Sequence, residues 1–400
     1  MPLKIAVGSS TLINGREAGF QAVEAALEQV GRQPIAFGWV ISSYIYPIDQ
    51  VLYGVTDLIG DAPLLGFSSS AELTMDGLRR RSVVVALFCG EDVYARGNWR
   101  AEFSGDSRAC AQHVLQELQP DAEIGESLLI VADGLNGDPA DLCHVLSQAA
   151  TPVAGCLAGG NLHMGRTYQI GGRASGGGGL AAAVLGGDLT IAVGAAHGWQ
   201  VVGAMARLSR VQGNWVREID GRPPSELYAH LFGLPAKQWI HPPLNELVRL
   251  YPLGLHEDSD LVVRSPLRME ADGSLRMNAE LPEGGAVDLM VGTQEACLQA
   301  VESAVGDALA ALGSTHPKLA LLLVDEAWQT ILELRPGAEV EAVRSVVGND
   351  VPVLGGYTYG QIARLRPNQG VDLLNQHVLI VLFGEKQAQT AAGPPDVGAK

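Results

Sequence analysis

The sequence has little positive charge. Its 400 residues include 27 lysines and arginines against 44 aspartates and glutamates, which gives a formal net charge of −17. A surface of this sign repels the phosphates of nucleic acids and the headgroups of anionic membranes. We therefore expect neither a nucleic-acid partner nor a membrane partner.

Long apolar runs and paired cysteines are also missing. The longest apolar segments, SLLIVA and LALLLV, have the length of strands and are too short to cross a bilayer. The five cysteines include no Cys-x-x-Cys pair, which argues against a zinc ribbon and a disulfide framework. The first residues, MPLKIAVGSS, show no signal-peptide pattern. We therefore expect reduced thiols in a cytoplasmic protein.

Familiar catalytic motifs are absent as well. The sequence contains no Gly-x-Ser-x-Gly nucleophile elbow and no His-Glu-x-x-His zinc motif. Asp133 and Asp325 each follow an apolar strand, where they are expected to cap the next helix. We therefore expect no enzymatic activity, and a hydrolase that uses Ser or Cys156 is the weakest of the alternatives.

One short pattern occurs three times: DAPLLGFSSSAEL from residue 61, ATPVAGCLAGGNL from residue 150 and DVPVLGGYTYGQI from residue 350. Proline is tolerated at the first position of a strand, so each pattern predicts a short buried strand that starts at the proline and ends at the glycine. These residues are Pro63 and Gly66, Pro152 and Gly155, and Pro352 and Gly355. The pattern therefore indicates an internal repeat.

Each copy has the same neighbours along the chain. An apolar strand and a segment with helical spacing precede it, another strand and helix come before those, and a strand follows it. The segment AVDLMVGT is expected to begin the third unit. Alternating strands and helices are typical of α/β folds. The sequence therefore predicts repeated strand-helix-strand-helix-hairpin units that form helix-covered mixed sheets.

A different segment separates the second and third units. Residues 197–285 are rich in strand patterns, with one or two helices, and form a β-rich bridging segment. Residues 1–196 hold two repeat units, and residues 286–386 hold the third. The polar, Pro- and Gly-rich residues 387–400 are expected to be disordered.

Ligands of open α/β sheets bind beyond the carboxyl ends of the strands, so we expect a pocket where the loops after the three glycines approach each other or the bridging segment. Tyr357, Tyr359 and Gln361 should line it, because residues two apart on an extended segment share a face. Packing of both tyrosine rings in a hydrophobic core is the alternative. Arg264 could supply a charge for an anionic ligand, or form a surface salt bridge.

Two small-residue segments could add polar contacts to this pocket. The hydroxyls of Ser68, Ser69 and Ser70 could bond a ligand, or bond their own backbone as turn residues do. The glycines Gly159 and Gly160 could let backbone amides face an anion.

The order of these segments resembles the FIST family. The segments VGSS…AGFQAVEAALEQVG…PLLGFSSSAEL are similar to the FIST N-terminal region, and DLVVRSPL…DGSLRMNAELPEGG…VPVLGGYTYGQIARL to the FIST C-terminal region. The resemblance implies a sensory module for a small ligand, with amino acids among those proposed. It also implies signalling through a separate histidine kinase or cyclic-di-GMP enzyme. Asp325, Glu326 and Trp328 stand where many members have Cys-x-x-Arg, so no role of those two residues carries over.

Haem provides the second hypothesis. Some FIST proteins bind haem and sense nitric oxide, and haem iron needs an axial ligand such as histidine. His163, His197 and His377 are the candidates. No Cys-x-x-Cys-His motif exists, which excludes covalent attachment. The main hypothesis, a small polar ligand, requires neither a cofactor nor a metal.

Overall fold

A computed structural model describes residues 2–31, 33–161, 165–257, 260–366 and 368–386. Three six-stranded sheets each combine parallel and antiparallel pairs, and a seven-stranded sheet is antiparallel throughout. Helices pack on the three mixed sheets. The predicted α/β architecture of repeated units with a β-rich bridging segment is confirmed.

The first unit has the predicted order of elements. They are β1 (Lys4–Ser10), α1 (Gly15–Val30), β2 (Ile35–Ser43), α2 (Ile48–Ile59), β3 (Leu64–Ser69), β4 (Glu72–Thr74), β5 (Gly77–Arg79) and β6 (Val83–Cys89). Helix α1 begins after Asn14, whose side chain accepts hydrogen bonds from the amides of Arg16 and Glu17. Strands β2 and β3 are parallel, and β6 lies antiparallel between β1 and β2.

The second unit repeats this order. Its elements are β7 (Val93–Arg100), α3 (Ser107–Leu118), β8 (Ser127–Ala132), α4 (Pro139–Leu146), β9 (Val153–Leu157), β10 (Gln169–Gly172), β11 (Ala174–Gly176) and β12 (Leu180–Gly187). Strands β8 and β9 are parallel, and β12 lies antiparallel between β7 and β8. The arrangement of strands is therefore the same as in the first unit.

The bridging segment interrupts the third unit after its first strand, β13 (Leu189–Ala196). The bridging elements are β14 (Trp199–Gln212), β15 (Trp215–Ile219), α5 (Pro224–Phe232), α6 (Ala236–Trp239), α7 (Leu244–Leu247), β16 (Leu253–Glu257), β17 (Asp260–Arg264), β18 (Pro266–Met269), β19 (Leu275–Met277) and β20 (Ala286–Gly292). The third unit then continues with α8 (Gln294–Leu312), β21 (Pro317–Asp325), α9 (Ala327–Ile331), α10 (Ala338–Val347), β22 (Val353–Thr358), β23 (Gly360–Ala363), β24 (Asp372–Leu374) and β25 (Val378–Glu385).

The expectation that AVDLMVGT begins the third unit is wrong. This segment is β20, which pairs with β14 and β16 in the bridging sheet. The first strand of the third unit is β13, which pairs with β25 as β1 pairs with β6. Both β13 and β20 are apolar strands, and β20 directly precedes helix α8, whereas β13 precedes the bridging segment. The local sequence pattern alone therefore did not show which of the two begins the third unit.

Each unit contributes its hairpin to the sheet of another unit. Strand β4 of the first unit pairs with β22 of the third, β10 of the second pairs with β3 of the first, and β23 of the third pairs with β9 of the second. The three exchanges form a closed ring. No unit therefore completes its own sheet without a neighbour.

The same contact fixes each hairpin. In every unit a Glu or Gln side chain of the hairpin accepts a hydrogen bond from the backbone amide just before the last strand. The pairs are Glu72 with Ser82 (3.1 Å), Gln169 with Gly179 (3.0 Å) and Gln361 with His377 (3.3 Å). This shared detail, together with the shared strand pairing, confirms that the three patterns are structural repeats.

The glycine of each repeated pattern lies inside its strand. A Cβ atom there would overlap the carbonyl oxygen of the neighbouring parallel strand. The overlapping pairs are Gly66 with Val40, Gly155 with Ile130 and Gly355 with Leu322. The expectation that the glycine ends the strand is therefore wrong, because it is the close approach of two strands that requires glycine here.

One central core joins the three mixed sheets. It contains large apolar side chains from each of them, among them Phe67, Val131 and Phe383. The opposite faces are covered by α1 and α2, by α3 and α4, and by α8 and α10, and the bridging segment has a separate core. Within the described ranges, no helix is long and apolar enough to cross a membrane.

Candidate functional site

The second and third strands of all three units end in one region. In each unit these two strands are parallel, so the residues that follow them come together at their carboxyl ends. Five such residues line two adjacent clefts: Tyr44, Ser70, Gly134, Glu326 and Tyr359. The site is therefore built by all three units.

The larger cleft has a volume of about 580 Å³ and lies between the second unit, the third unit and the bridging segment. The loop after β8, including Asp133 and Gly134, forms one side, and Asn278 of the bridging segment lies on another. Asp325, Glu326 and Tyr359 form the side that belongs to the third unit.

The smaller cleft has a volume of about 440 Å³ and adjoins the larger one. Both clefts are lined by Arg249 of the bridging segment and by Glu326. The first unit contributes Arg80 and Arg81 to the smaller cleft. A ligand that contacts Arg249 or Glu326 can therefore extend into either cleft.

Five buried polar atoms on the walls of these clefts have no hydrogen-bond partner among the described residues. They are Ser70 Oγ, Asn278 Oδ1, Glu326 Oε2, Gln329 Nε2 and Tyr359 Oη. Buried polar atoms are nearly always hydrogen-bonded, and leaving one unpaired costs about 1–3 kcal/mol. Their concentration at one place indicates a site for a polar molecule.

Arg249 and Glu326, which line both clefts, form a shared wall. Two carboxyl groups at this wall have raised pKa values. Burial raises the pKa of Glu326 to about 7, with Arg249 opposing the rise and Asp325 adding to it. Burial also raises the pKa of Asp325 to about 6, although this carboxylate accepts bonds from the amides of Ala327 and Gln376. Near neutral pH, Glu326 can therefore gain or lose a proton when a charged molecule binds beside it.

The two aspartates after β8 and β21 organise loops. Asp325 Oδ1 accepts from the amide of Ala327, the first residue of α9, at 3.0 Å, although the cap position of this helix is Glu326, whose side chain forms no capping bond. Asp133 Oδ1 accepts from the amides of Leu135 and Asn136 at 2.8 Å each. Helix α4 is capped by Asp138 instead. Asp325 therefore bonds the start of the helix that follows its strand from one position before the cap, and the capping expectation is wrong for Asp133.

Two family models match the chain, the FIST N domain over residues 36–222 and the FIST C domain over residues 224–364. The chain belongs to the FIST family. FIST domains are sensory and signalling modules. No curated protein shows a significant match to this FIST chain.

The solved structures that match the chain include two cyanuric acid hydrolases. The one from A. caulinodans is 11% identical, with a TM-score of 0.38, and the match covers 96% of the FIST chain and 100% of that chain. The other, described as an evolutionary innovation by structural concatenation, is 9% identical, with a TM-score of 0.32 and the same coverage. At these TM-scores the likeness supports no conclusion about activity.

Three of the nine residues that the FIST sequence offers as ligand contacts line the clefts. Ser70 and Gly160 border the smaller cleft, and Tyr359 borders the larger one. The loops after the three strand glycines do approach each other and the bridging segment, as the sequence predicts. Whether these residues contact a ligand stays a prediction.

Ser68 and Ser69 have their hydroxyls committed to the backbone. Ser68 Oγ donates to the Gly159 carbonyl oxygen at 2.7 Å, and Ser69 Oγ accepts from the Tyr357 amide at 2.9 Å. Gly159 packs so closely that a Cβ would overlap the Tyr357 carbonyl oxygen. These residues join the carboxyl ends of the third strands of all three units. Ser69 Oγ also donates to the nearby Ala71 carbonyl oxygen, as a turn residue does, whereas Ser68 bonds the backbone of the second unit, so the turn interpretation is wrong for Ser68.

Tyr357 and Tyr359 lie on different sides of the chain. Tyr357 is 1% exposed and packs in the core under α8 and α10, where its hydroxyl donates to the buried Glu339 carboxylate. Tyr359 follows the end of β22, where the chain turns into β23, and packs in the core of the second unit. The expectation of a shared face is wrong because the extended strand ends at Thr358.

Gln361 and Arg264 are placed outside the clefts. The Gln361 amide donates to Thr358 Oγ1 at 2.8 Å and fixes its hairpin. Arg264 forms an ion pair with Glu257 at 3.5 Å, and burial lowers its pKa. The next residue, Ser265, which lies between β17 and β18, lines the larger cleft instead.

The described candidate histidines do not fit haem ligation. The rings of His197 and His377 pack edge to face, with their centroids 4.9 Å apart, and His377 Nδ1 lies 2.6 Å from the Asn375 carbonyl oxygen. Neither histidine lines either cleft. His163 lies outside the described residues. In the part of the chain that the structure describes, no group of three or more His, Cys, Asp or Glu side chains is placed to hold a metal ion.

Sequence reasoning missed most of the charged residues at the site. Arg249 belongs to a single helical turn, and Glu326 follows an apolar strand and was noted only as a departure from the family's Cys-x-x-Arg pattern. Arg80 and Arg81 belong to a run of three arginines before β6. That run, in a chain of net charge −17, was the one signal that could have been used.

Proposed function

We propose that this FIST chain is a sensory module that binds a small polar ligand carrying both a positive and a negative group, such as an amino acid. The ligand lies across Arg249 and Glu326, where the two clefts meet. The observation that carries the proposal is the set of five buried polar atoms without partners on these walls. A ligand that bonds them removes the cost of leaving them unpaired.

The chemistry of the shared wall supports a ligand with two charges. Arg249 has no ion pair with a described carboxylate, and its Nε donates only to the Glu246 carbonyl oxygen. Its guanidinium suits a carboxylate, which it can bond with two parallel hydrogen bonds. Glu326 suits an ammonium group, and the Tyr359 ring provides apolar area for the body of the ligand.

Binding without catalysis is supported by what surrounds the nucleophiles. Ser70 Oγ has no hydrogen-bond partner among the described residues, so no base is placed to activate it. All five cysteines are buried. Burial raises the pKa of the Cys156 thiol well above its ordinary value, which opposes thiolate formation. A hydrolase that uses Ser or Cys156 is therefore the less supported function.

Signalling completes the proposal. The FIST chain passes the bound state of the clefts to a separate partner protein, for which a histidine kinase or a cyclic-di-GMP enzyme is the class that the family resemblance implies. The ring of exchanged hairpins supports this role, because a ligand held between units can alter how the sheets pack against each other.

A thermal-shift screen with the twenty amino acids tests the proposal. A ligand that binds the native state raises the melting temperature by mass action. The affinity of any hit is then measured by calorimetry for the wild type and for Glu326→Gln. The control is Glu333→Gln, an exposed carboxylate that lines neither cleft. We expect binding to weaken in Glu326→Gln alone, and equal affinities in all three proteins would refute the placement.

A further inference from the structure

We propose that the smaller cleft is a separate subsite for an anionic group of the ligand, either a carboxylate or a phosphate. This inference deepens the proposed function, since it assigns one end of the same ligand. It rests on the distribution of charges and of hydrogen-bond donors within the two clefts.

The smaller cleft gathers positive charge in a strongly acidic protein. Three arginines line it, Arg80, Arg81 and Arg249, against the single carboxylate of Glu326. The side chains of Arg80 and Arg81 have no ion pair or hydrogen bond to a described residue. By contrast, Arg79 pairs with Asp76 at 3.3 Å. Guanidinium groups that converge on a cleft without carboxylate partners attract an anion.

The unpaired nitrogen and amide-oxygen atoms of the two clefts differ in type. In the smaller cleft, Gln329 Nε2 is a buried donor without an acceptor. In the larger cleft, Asn278 Oδ1 is a buried acceptor without a donor. Each cleft also has one unpaired hydroxyl, that of Ser70 in the smaller and that of Tyr359 in the larger, which can donate or accept. The one unpaired group that can only donate therefore lies in the smaller cleft, beside the arginines.

Glu326 lies where the two clefts meet, and its Oε2 atom is an acceptor without a partner. A ligand with its anionic end among the arginines places its amine, hydroxyl or amide groups toward Glu326 and Asn278. This arrangement defines the direction in which the ligand lies. It also defines the ligand class: a small molecule with one anionic end and hydrogen-bond donors at the other.

The three units make the subsite together. Arg80 and Arg81 come from the first unit, Gly160 from the second and Gln329 from the third, while Arg249 comes from the bridging segment. An anion bound there contacts every part of the chain that the exchanged hairpins join. The subsite is therefore suited to report ligand binding to the whole fold.

Binding of simple anions to the full chain tests this inference. Inorganic phosphate and sodium acetate are titrated at constant ionic strength, and the affinity is followed by calorimetry and by the melting temperature. The variants are Arg80→Gln and Arg79→Gln. Both residues are exposed and adjacent, and Arg79 lines neither cleft, so the second variant is a matched control for the lost charge.

We expect Arg80→Gln to weaken anion binding about tenfold, as the loss of one charge-assisted hydrogen bond does, and Arg79→Gln to leave it within twofold of the wild type. Saturable binding of phosphate alone assigns a phosphate ester, and binding of acetate alone assigns a carboxylate. The inference is overturned if neither anion binds, or if the two variants weaken binding equally.

The proposed function can fail separately. If the amino-acid screen yields a ligand whose affinity depends on Glu326 but not on Arg80, the ligand site stands and the anion subsite is wrong. If phosphate binds in an Arg80-dependent way but no ligand depends on Glu326, the subsite stands and the proposed function is wrong.

Discussion

The hydroxyl of Tyr359 and the carboxylate of Glu326 lie at one wall of the larger cleft, close enough to influence each other's protonation. The two groups form no hydrogen bond of ordinary geometry, since neither Tyr359 Oη nor Glu326 Oε2 has such a partner within the described residues. Burial raises the pKa of Tyr359, and the charge of Glu326 and a side-chain contact with it add to the rise, so the phenol stays neutral. A bound molecule that accepts from Tyr359 and donates to Glu326 therefore has to replace only this poorly aligned contact.

The two tyrosines of the third repeat should behave in opposite ways when each loses its hydroxyl. Tyr359→Phe removes an unpaired polar atom, so we expect the free energy of unfolding to stay the same or rise by up to about 1 kcal/mol. Tyr357→Phe removes the donor to the buried Glu339 carboxylate and should cost about 1–3 kcal/mol. Urea denaturation measures both, and equal losses of stability would contradict the assigned environments.

Glu326 should make the native state less stable as the pH rises. Its carboxyl keeps its proton up to about pH 7 in the folded chain, against an ordinary pKa of 4.5, so folding takes up a proton between these values. Stability from this group is therefore lost as the pH rises from 4.5 to 7. Glu326→Gln should remove about 3 kcal/mol of this loss, measured by urea denaturation at pH 5 and pH 8. An unchanged pH dependence in the variant would show that Glu326 titrates normally.

Glu72 should also make the native state less stable as the pH rises, and over a wider pH range than Glu326. It is the acidic member of a position that is Gln169 and Gln361 in the other two units, and burial raises its pKa to about 8. The proton taken up on folding makes stability fall from pH 4.5 to pH 8. Glu72→Gln, which copies the other two units, should be more stable than the wild type above pH 8. A loss of stability at pH 9 in the variant would contradict this account.

The strand glycines should tolerate no side chain. A Cβ on Gly155 would overlap the Ile130 carbonyl oxygen of the neighbouring strand, whereas a Cβ on Gly306 in helix α8 meets nothing within 4 Å. Gly155→Ala should lower the free energy of unfolding by about 1–3 kcal/mol, and Gly306→Ala should raise it by about 0.5–1 kcal/mol. The two variants should change the free energy of unfolding in opposite directions. An unchanged stability of Gly155→Ala would contradict the close approach of the two strands.

The local pattern of apolar and polar residues was sufficient to predict most helices and strands and the internal repeat. Apolar runs and helical spacing identified most strands and helices, and the three proline-to-glycine patterns identified the units. Which strands pair depends on contacts far apart in the chain, so the exchange of hairpins was beyond local pattern. For the same reason β20 was mistaken for β13 as the first strand of the third unit.

The sequence predicted where the candidate site lies, but not most of the residues that form it. Strand ends gave its location, and Tyr359, Ser70 and Gly160 followed from that rule. Tyr357 was misplaced because the strand ends one residue after it, and alternation applies only within a strand. Arg249 and Glu326 come from short segments without a periodic signal, so only the folded chain brings them together.

A crystal structure of the chain with the best ligand from the amino-acid screen tests the central claim most directly. The account predicts ligand density across Arg249 and Glu326, with the anionic end toward Arg80 and bonds to at least one of the five unpaired atoms. Density elsewhere, for instance in the groove beside Phe20 and Asp57 on the outer face of the first unit, with both clefts empty, would contradict it.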